Sequence, residues 1–161
     1  MLKVNIICVG KLKEACWREA VAEYAKRLGG YCNFSVEELA ESRLPDDPSE
    51  GQISAALEKE AAAMEKFLSM KSALNIAMCI EGKMLGSVEL SERIARAAVG
   101  GISTVNFYIG SSFGLSEEVK RRCGMKLSMS PMTFPHQLAR VMLCEQVYRA
   151  FAISAGSRYH K

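Results

Sequence analysis

The chain ends on Arg158, Tyr159, His160 and Lys161, side chains that can bind an anion, stack on a nucleobase and exchange a proton. They directly follow a segment, Pro135 to about Ser154, that is too apolar to be left in water, which is hard to reconcile with a frayed tail. Polar positions of that segment include His136, Gln137, Arg140, Glu145 and Arg149. Glu145 and Arg149 stand four apart in the order of an ordinary helix ion pair, which competes with a chemical role for the arginine.

Three connections have the composition of ligand-binding turns: IEGKMLG at 80–86, IGSSFGL at 109–115 and LSMSPMTF at 127–134. In open parallel sheets, ligands bind beyond the carboxyl ends of the strands, where glycines let backbone amides approach them. The 109–115 turn has neither G-x-G-x-x-G nor the Lys-Ser/Thr of a P-loop, so it is not a phosphate fingerprint, and its glycines are equally explained by φ > 0. The 127–134 turn is apolar and stiffened by Pro131 and Pro135. Such a turn suits a buried pocket where backbone groups recognise a ligand with an aromatic ring and a soft sulfur nearby. Packing of Met132 and Phe134 on a sheet edge is the competing reading.

The elements that would position these residues alternate between strand and helix. Strand patterns cover Lys3–Val9, Asn33–Leu39, Ala73–Ile80, Ser103–Ile109 and Met125–Met129. Helical spacing runs from Ala15 to Leu28, then covers Ile53–Leu68, Ser87–Ala98, Leu115–Arg122 and Pro135 to about Ser154. Glu41 to Gly51, with Pro45 and Pro48, is the most loop-like stretch. The alternation predicts one α/β domain over 1–161: a mostly parallel sheet with helices on both faces. The last helix is apolar on more than one face, so it needs two covers. One is the sheet; the other is a helix of the same chain or of a second subunit, and a homodimer is the favoured expectation.

At 161 residues the chain suffices for one core that buries roughly 68–70% of the unfolded surface. No apolar run reaches the roughly 20 residues of a membrane span, and the apolar start is too short for a secretory signal, so no membrane and a cytoplasmic site are expected. The six cysteines are scattered without C-x-x-C spacing, and two histidines cannot complete a metal site with them, so buried thiols and no metal are expected. Charge is uneven: Lys120 to Lys161 holds eight basic residues against Glu145 alone, whereas Glu37 to Glu65 holds nine acidic and two basic. A basic C-terminal quarter suits a polyanion such as RNA, and a solvated basic face is the plainer account.

VGKLKEACWREAVAEYAKRL, IEGKMLGS, IGSSFGLS, LSMSPMTFPHQLARVMLCEQVYRAF and the terminal RYHK together resemble the ribosomal RNA large subunit methyltransferase H family of the SPOUT class, end to end. The resemblance implies a C-terminal trefoil knot, S-adenosylmethionine as cofactor, a homodimer, and methylation of N3 of a pseudouridine in 23S rRNA, on assembled ribosomes. By motif, cofactor binding falls on Met78, Gly110, Met129, Ser130, Pro131, Met132, Thr133 and Phe134. Arg149, Tyr159 and His160 are the expected catalytic residues: charge stabilisation, base stacking or hydrogen bonding, and proton acceptance. Family members usually have two glycines where this chain has Gly110-Ser111, so the contacts to the cofactor's polar end are open here. The alternative functions are a non-catalytic ribosome-associated RNA-binding factor and, more remotely, a small enzyme using a nucleotide on the 109–115 turn.

Overall fold

Two strands have side chains buried along almost their whole length, and these form the middle of the sheet. They are β1 (Lys3–Val9) and β4 (Thr104–Ile109). The structure, a computed structural model, describes residues 1–160. β2 (Asn33–Leu39), β3 (Ala73–Met84) and β5 (Met125–Ser128) complete an all-parallel sheet in the order β2-β1-β4-β3-β5. A parallel sheet needs crossovers, and these are α1 (Ala15–Leu28), α2 (Glu50–Leu68), α3 (Ser87–Val99) and α4 (Glu117–Arg122), with α5 (His136–Ser154) closing the chain.

Helices cover both faces. On one, Val4, Ile6, Cys8, Val105 and Phe107 pack against Val21 and Leu28 of α1, Leu90 and Ile94 of α3, and Leu143, Cys144 and Val147 of α5. On the other, Ile7, Val9, Ala77 and Tyr108 meet Met64 and Phe67 of α2 and Val119 of α4. The second cover for α5 comes from its own chain: it packs with both α1 and α3.

A polar ladder crosses the sheet on the α2 face. Ser35, Asn5, Asn106 and Asn75 lie on one line of the register across four strands. Ser35 Oγ donates to Asn5 Oδ1 (2.8 Å), Asn5 Nδ2 to Asn106 Oδ1 (2.7 Å), and Asn106 Nδ2 to Asn75 Oδ1 (2.9 Å). Asn75 and Asn106 also donate to the carbonyls of Leu68 and Phe67 in the last turn of α2. A slip by one residue would leave buried amides unpaired, so the ladder pins strand register as well as α2.

Two boundaries differ from the sequence reading by more than two residues. α2 starts at Glu50 because Ser49 and Gln52 form a capping box. More consequentially, the 80–86 connection is strand as far as Met84. Leu127 of β5 pairs first with Met78 and again with Lys83, the residues between them bulging out. Gly82 makes this possible: a Cβ there would lie 2.6 Å from the Leu127 carbonyl carbon and 2.7 Å from its nitrogen.

All six cysteines are free; Cys8, Cys32, Cys123 and Cys144 are buried, Cys79 half-buried and Cys16 exposed. Burial pushes the Cys8 and Cys144 thiols up to about 12, which leaves them inert at neutral pH. Among the described residues no helix is long and apolar enough to cross a membrane, and no cluster of three or more His, Cys, Asp or Glu could hold a metal ion.

Candidate active site

Beyond the carboxyl ends of β3, β4 and β5 lies a cavity of about 730 Å³, in the range of small-molecule sites. The predicted cofactor contacts Met78, Gly110, Met129, Ser130, Met132, Thr133 and Phe134 line it; Pro131 belongs to the same turn but is exposed and outside the lining. Met132 is 72% exposed, so it stands on the rim and does not pack the sheet edge. The 129–134 turn is braced locally, with Ser128 Oγ donating to the Ser130 carbonyl (3.1 Å) and Met132 N to Ser130 Oγ (3.0 Å).

Gly110 is set by a close approach. The 110–114 turn reverses so sharply that a Cβ on Gly110 would lie 2.2 Å from the carbonyl of Gly114, which itself has φ +78°. A backbone hydrogen bond from Gly114 N to the Ser111 carbonyl (2.8 Å) holds the reversal. Ser111 turns its hydroxyl onto Glu60 of α2 (3.1 Å).

Sequence reasoning missed several lining side chains. Glu81 and Lys120 sit in the wall as an ion pair (2.5 Å), and Lys120 also reaches Glu117 (3.1 Å). The hydrogen bond from Lys120 holds the Glu81 carboxyl below its ordinary range. Burial works against charge on Lys120, but the bonds to Glu81 and Glu117 outweigh it and its pKa is raised. Cys79 and Phe113 also line the cavity. His136 lines it from the first turn of α5, while Arg140, one turn on, is a core residue. Arg140 is 1% exposed and bonds Glu38 Oε1 (2.7 Å) and the Gly10 carbonyl (3.0 Å), tying α5 to the ends of β1 and β2.

Arg149, Tyr159 and His160 come together, but elsewhere. Glu145 Oε1 accepts from Arg149 Nε (2.9 Å), Arg149 Nη2 (2.5 Å) and the Tyr159 hydroxyl (3.1 Å). The Arg149 guanidinium lies 4.6 Å above the Tyr159 ring, and its Nη1 is 3.4 Å from His160 Nδ1. Tyr159 also packs edge-on against Tyr148, 4.8 Å between centroids. The helix ion pair and the terminal cluster are therefore one assembly. Desolvation, then the bond to Glu145, push the Tyr159 phenol up to about 12, and the Glu145 bond raises Arg149 as well, so both stay protonated at neutral pH. None of the three lines the 730 Å³ cavity of its own chain. Lys161 lies outside the described residues.

The family model described as "Predicted SPOUT methyltransferase" matches residues 2–160, which makes this parallel α/β sheet, with its cavity at β3, β4 and β5, that of a SPOUT methyltransferase. Proteins from Streptococcus equi subsp. zooepidemicus and Streptococcus pyogenes serotype M49, both named ribosomal RNA large subunit methyltransferase H, are 44% identical over 160 residues. These alignments cover 99% of this chain and all of theirs. The chain belongs to the ribosomal RNA large subunit methyltransferase H family of the SPOUT class. Solved structures share the fold at low identity. A probable methylase family protein from Haemophilus influenzae Rd KW20 matches at TM-score 0.56 and 15% identity, covering 98% of this chain and 70% of its own. A probable methyltransferase from Bordetella pertussis Tohama I matches at 0.57 and 16%, covering 93% and 96%.

Proposed function

We propose that this protein transfers a methyl group from S-adenosylmethionine to N3 of a pseudouridine in 23S rRNA of assembled large ribosomal subunits, in the cytoplasm, as a homodimer with a knotted C-terminal part. The observation that carries the reading is the cavity itself. Its size suits the donor, its Met and Leu walls suit an adenine ring and a sulfonium, and Gly110 brings main-chain groups where a side chain would block them. The double pairing of Leu127 with β3, passing Gly82 at backbone contact, supports a chain that threads there.

When bound, the donor supplies an electrophilic methyl group on sulfur. The acceptor N3 is an imide nitrogen, whose proton must leave before its lone pair can attack. His160 takes that proton, Arg149 offsets the charge left on the imide, and Tyr159, a phenol at working pH, stacks on or donates to the base. Positioning does most of the work.

Because Arg149, Tyr159 and His160 do not line their own chain's cavity, a second copy presents its terminus to it. The test is complementation. A chain lacking Tyr159 to Lys161 and a Gly110→Leu chain are each expected to methylate at under a hundredth of the wild-type rate, the first with donor affinity retained. Co-folded, they recover a substantial fraction of activity, because one site per mixed dimer is intact. Full activity of the truncated chain would refute the roles assigned to the tip, and no recovery on mixing would refute the shared site.

A further inference from the structure

Among the described residues Glu60 is the one buried carboxylate, 4% exposed in the middle of α2. No lysine or arginine among the described residues pairs with it. Its partners are neutral donors: the Ser111 hydroxyl on Oε2 (3.1 Å) and the Ser42 amide on Oε1 (3.3 Å). A carboxylate held this way is costly to the fold, since apolar residues would fill the same space without desolvating a charge. Its neighbours on α2, Ala56, Ala61, Met64 and Phe67, are buried apolar residues.

What Glu60 does is visible at its other end. Residues 110–115 form the turn in which Gly110 passes Gly114 at backbone contact and Phe113 stands 45% exposed at the cavity. Ser111–Glu60 is the one side-chain hydrogen bond, among the described residues, tying this turn to another element. With glycine at position 111 that hydrogen bond would be lost, leaving the turn held by the packing of Leu115.

We infer that Glu60 is a positioning residue for methyl-donor binding: through the Ser111 hydroxyl it sets where the 110–115 turn holds the donor. The inference rests on the reading of the 730 Å³ cavity as the donor site. Glu60 touches no reacting atom, and its effect falls on donor affinity before it falls on the transfer step. Ser111 is thereby more than a tolerated departure from a pair of glycines, because it replaces backbone freedom by a fixed bond to α2.

The test is a double-mutant cycle with Ser111→Ala, Glu60→Gln and the double variant, read as the Kd for S-adenosylmethionine by calorimetry, with melting midpoints taken on the same samples. Each single change is expected to raise Kd roughly fivefold, within what one hydrogen bond to a charged group contributes. The double variant is expected to be no worse than the poorer single, and donor KM is expected to rise by a larger factor than turnover at saturating donor falls. Kd within twofold of wild type in both singles would overturn the inference, as would effects that multiply in the double. Ser111→Ala removes only an oxygen and decides the question alone if Glu60→Gln does not fold. Wild-type protein that takes up no donor would remove the cavity reading and this inference with it, an outcome distinct from a wild type that binds and variants that bind equally.

Discussion

Gly110→Ala isolates the close approach at the centre of the proposed donor site. The added Cβ would sit 2.2 Å from the carbonyl carbon and oxygen of Gly114 and 2.7 Å from Leu115 N, where real Cβ contacts stay beyond 3.0 Å. All three atoms are main chain, so no rotamer change relieves the clash and the 110–115 turn must open. Overpacking of this kind costs about 1–3 kcal/mol, and because the distortion falls on the turn proposed to meet the donor, it is expected in binding: roughly a 5- to 150-fold rise in Kd. Calorimetry with S-adenosylmethionine measures it, with circular dichroism and melting on the same samples. Gly101→Ala is the control. Unlike Gly110, Gly101 has positive φ (+91°), and nothing lies within 4 Å of its Cβ position, so the strain of about 1–2 kcal/mol lowers the melting midpoint and leaves Kd within twofold. A Gly110→Ala protein that binds donor as well as wild type, whatever its melting midpoint, would refute the reasoning.

Other expectations rest on separate contacts. Gly82→Ala drives a Cβ into the backbone of Lys126 and Leu127, so a loss of about 3 kcal/mol is expected, a fall of roughly 6–12 °C in melting midpoint; an unchanged midpoint would contradict the crossing of β3 and β5. Glu145→Ala removes the acceptor shared by Arg149 and Tyr159. It is expected to lower turnover at least tenfold with donor Kd unchanged, and to speed carboxypeptidase release of the terminal residues; release at the wild-type rate would show that Glu145 does not hold the tip. Glu65 is held down to about 2, first by its hydrogen bond from Arg122 and then by Ser69. A carboxyl with a depressed folded pKa contributes stability that is present above the unfolded value and disappears as pH falls through the folded one. The small advantage of wild type over Glu65→Gln in chemical denaturation is therefore expected in full above about pH 5, to shrink as pH falls toward about 2 and to be gone below it; a gap that does not shrink between about pH 5 and about pH 2 would show another origin.

The strands of the sheet centre were legible because burial on both faces writes continuous apolar runs, as in Val4–Val9 and Val105–Ile109. The 109–115 and 127–134 turns that line the cavity were legible from glycine and proline placement, and the motif resemblance pointed to the same positions. What escaped depends on approaches between residues far apart in the chain. Glu81-Gly82-Lys83 reads locally as a stop, and only the passage of Leu127 against Gly82 explains why β3 continues. Glu60 lies four residues from both Ala56 and Met64, on the apolar face of an Ala/Glu-rich helix, a signal present in the sequence but lost among neighbouring glutamates. Arg149, Tyr159 and His160 were identifiable by type. Their gathering on Glu145, off their own chain's cavity, needed the fold, because it depends on the chain turning back along α5 after Ser154.

The central claim is that a cavity of main-chain turns presents a methyl donor to one base of the large-subunit RNA. Incubating the protein with methyl-labelled S-adenosylmethionine and ribosomes that lack the modification, then mapping the label, tests it most directly. The account predicts label on N3 of a pseudouridine in 23S rRNA; large-subunit RNA without label, or label confined to other positions, would contradict it.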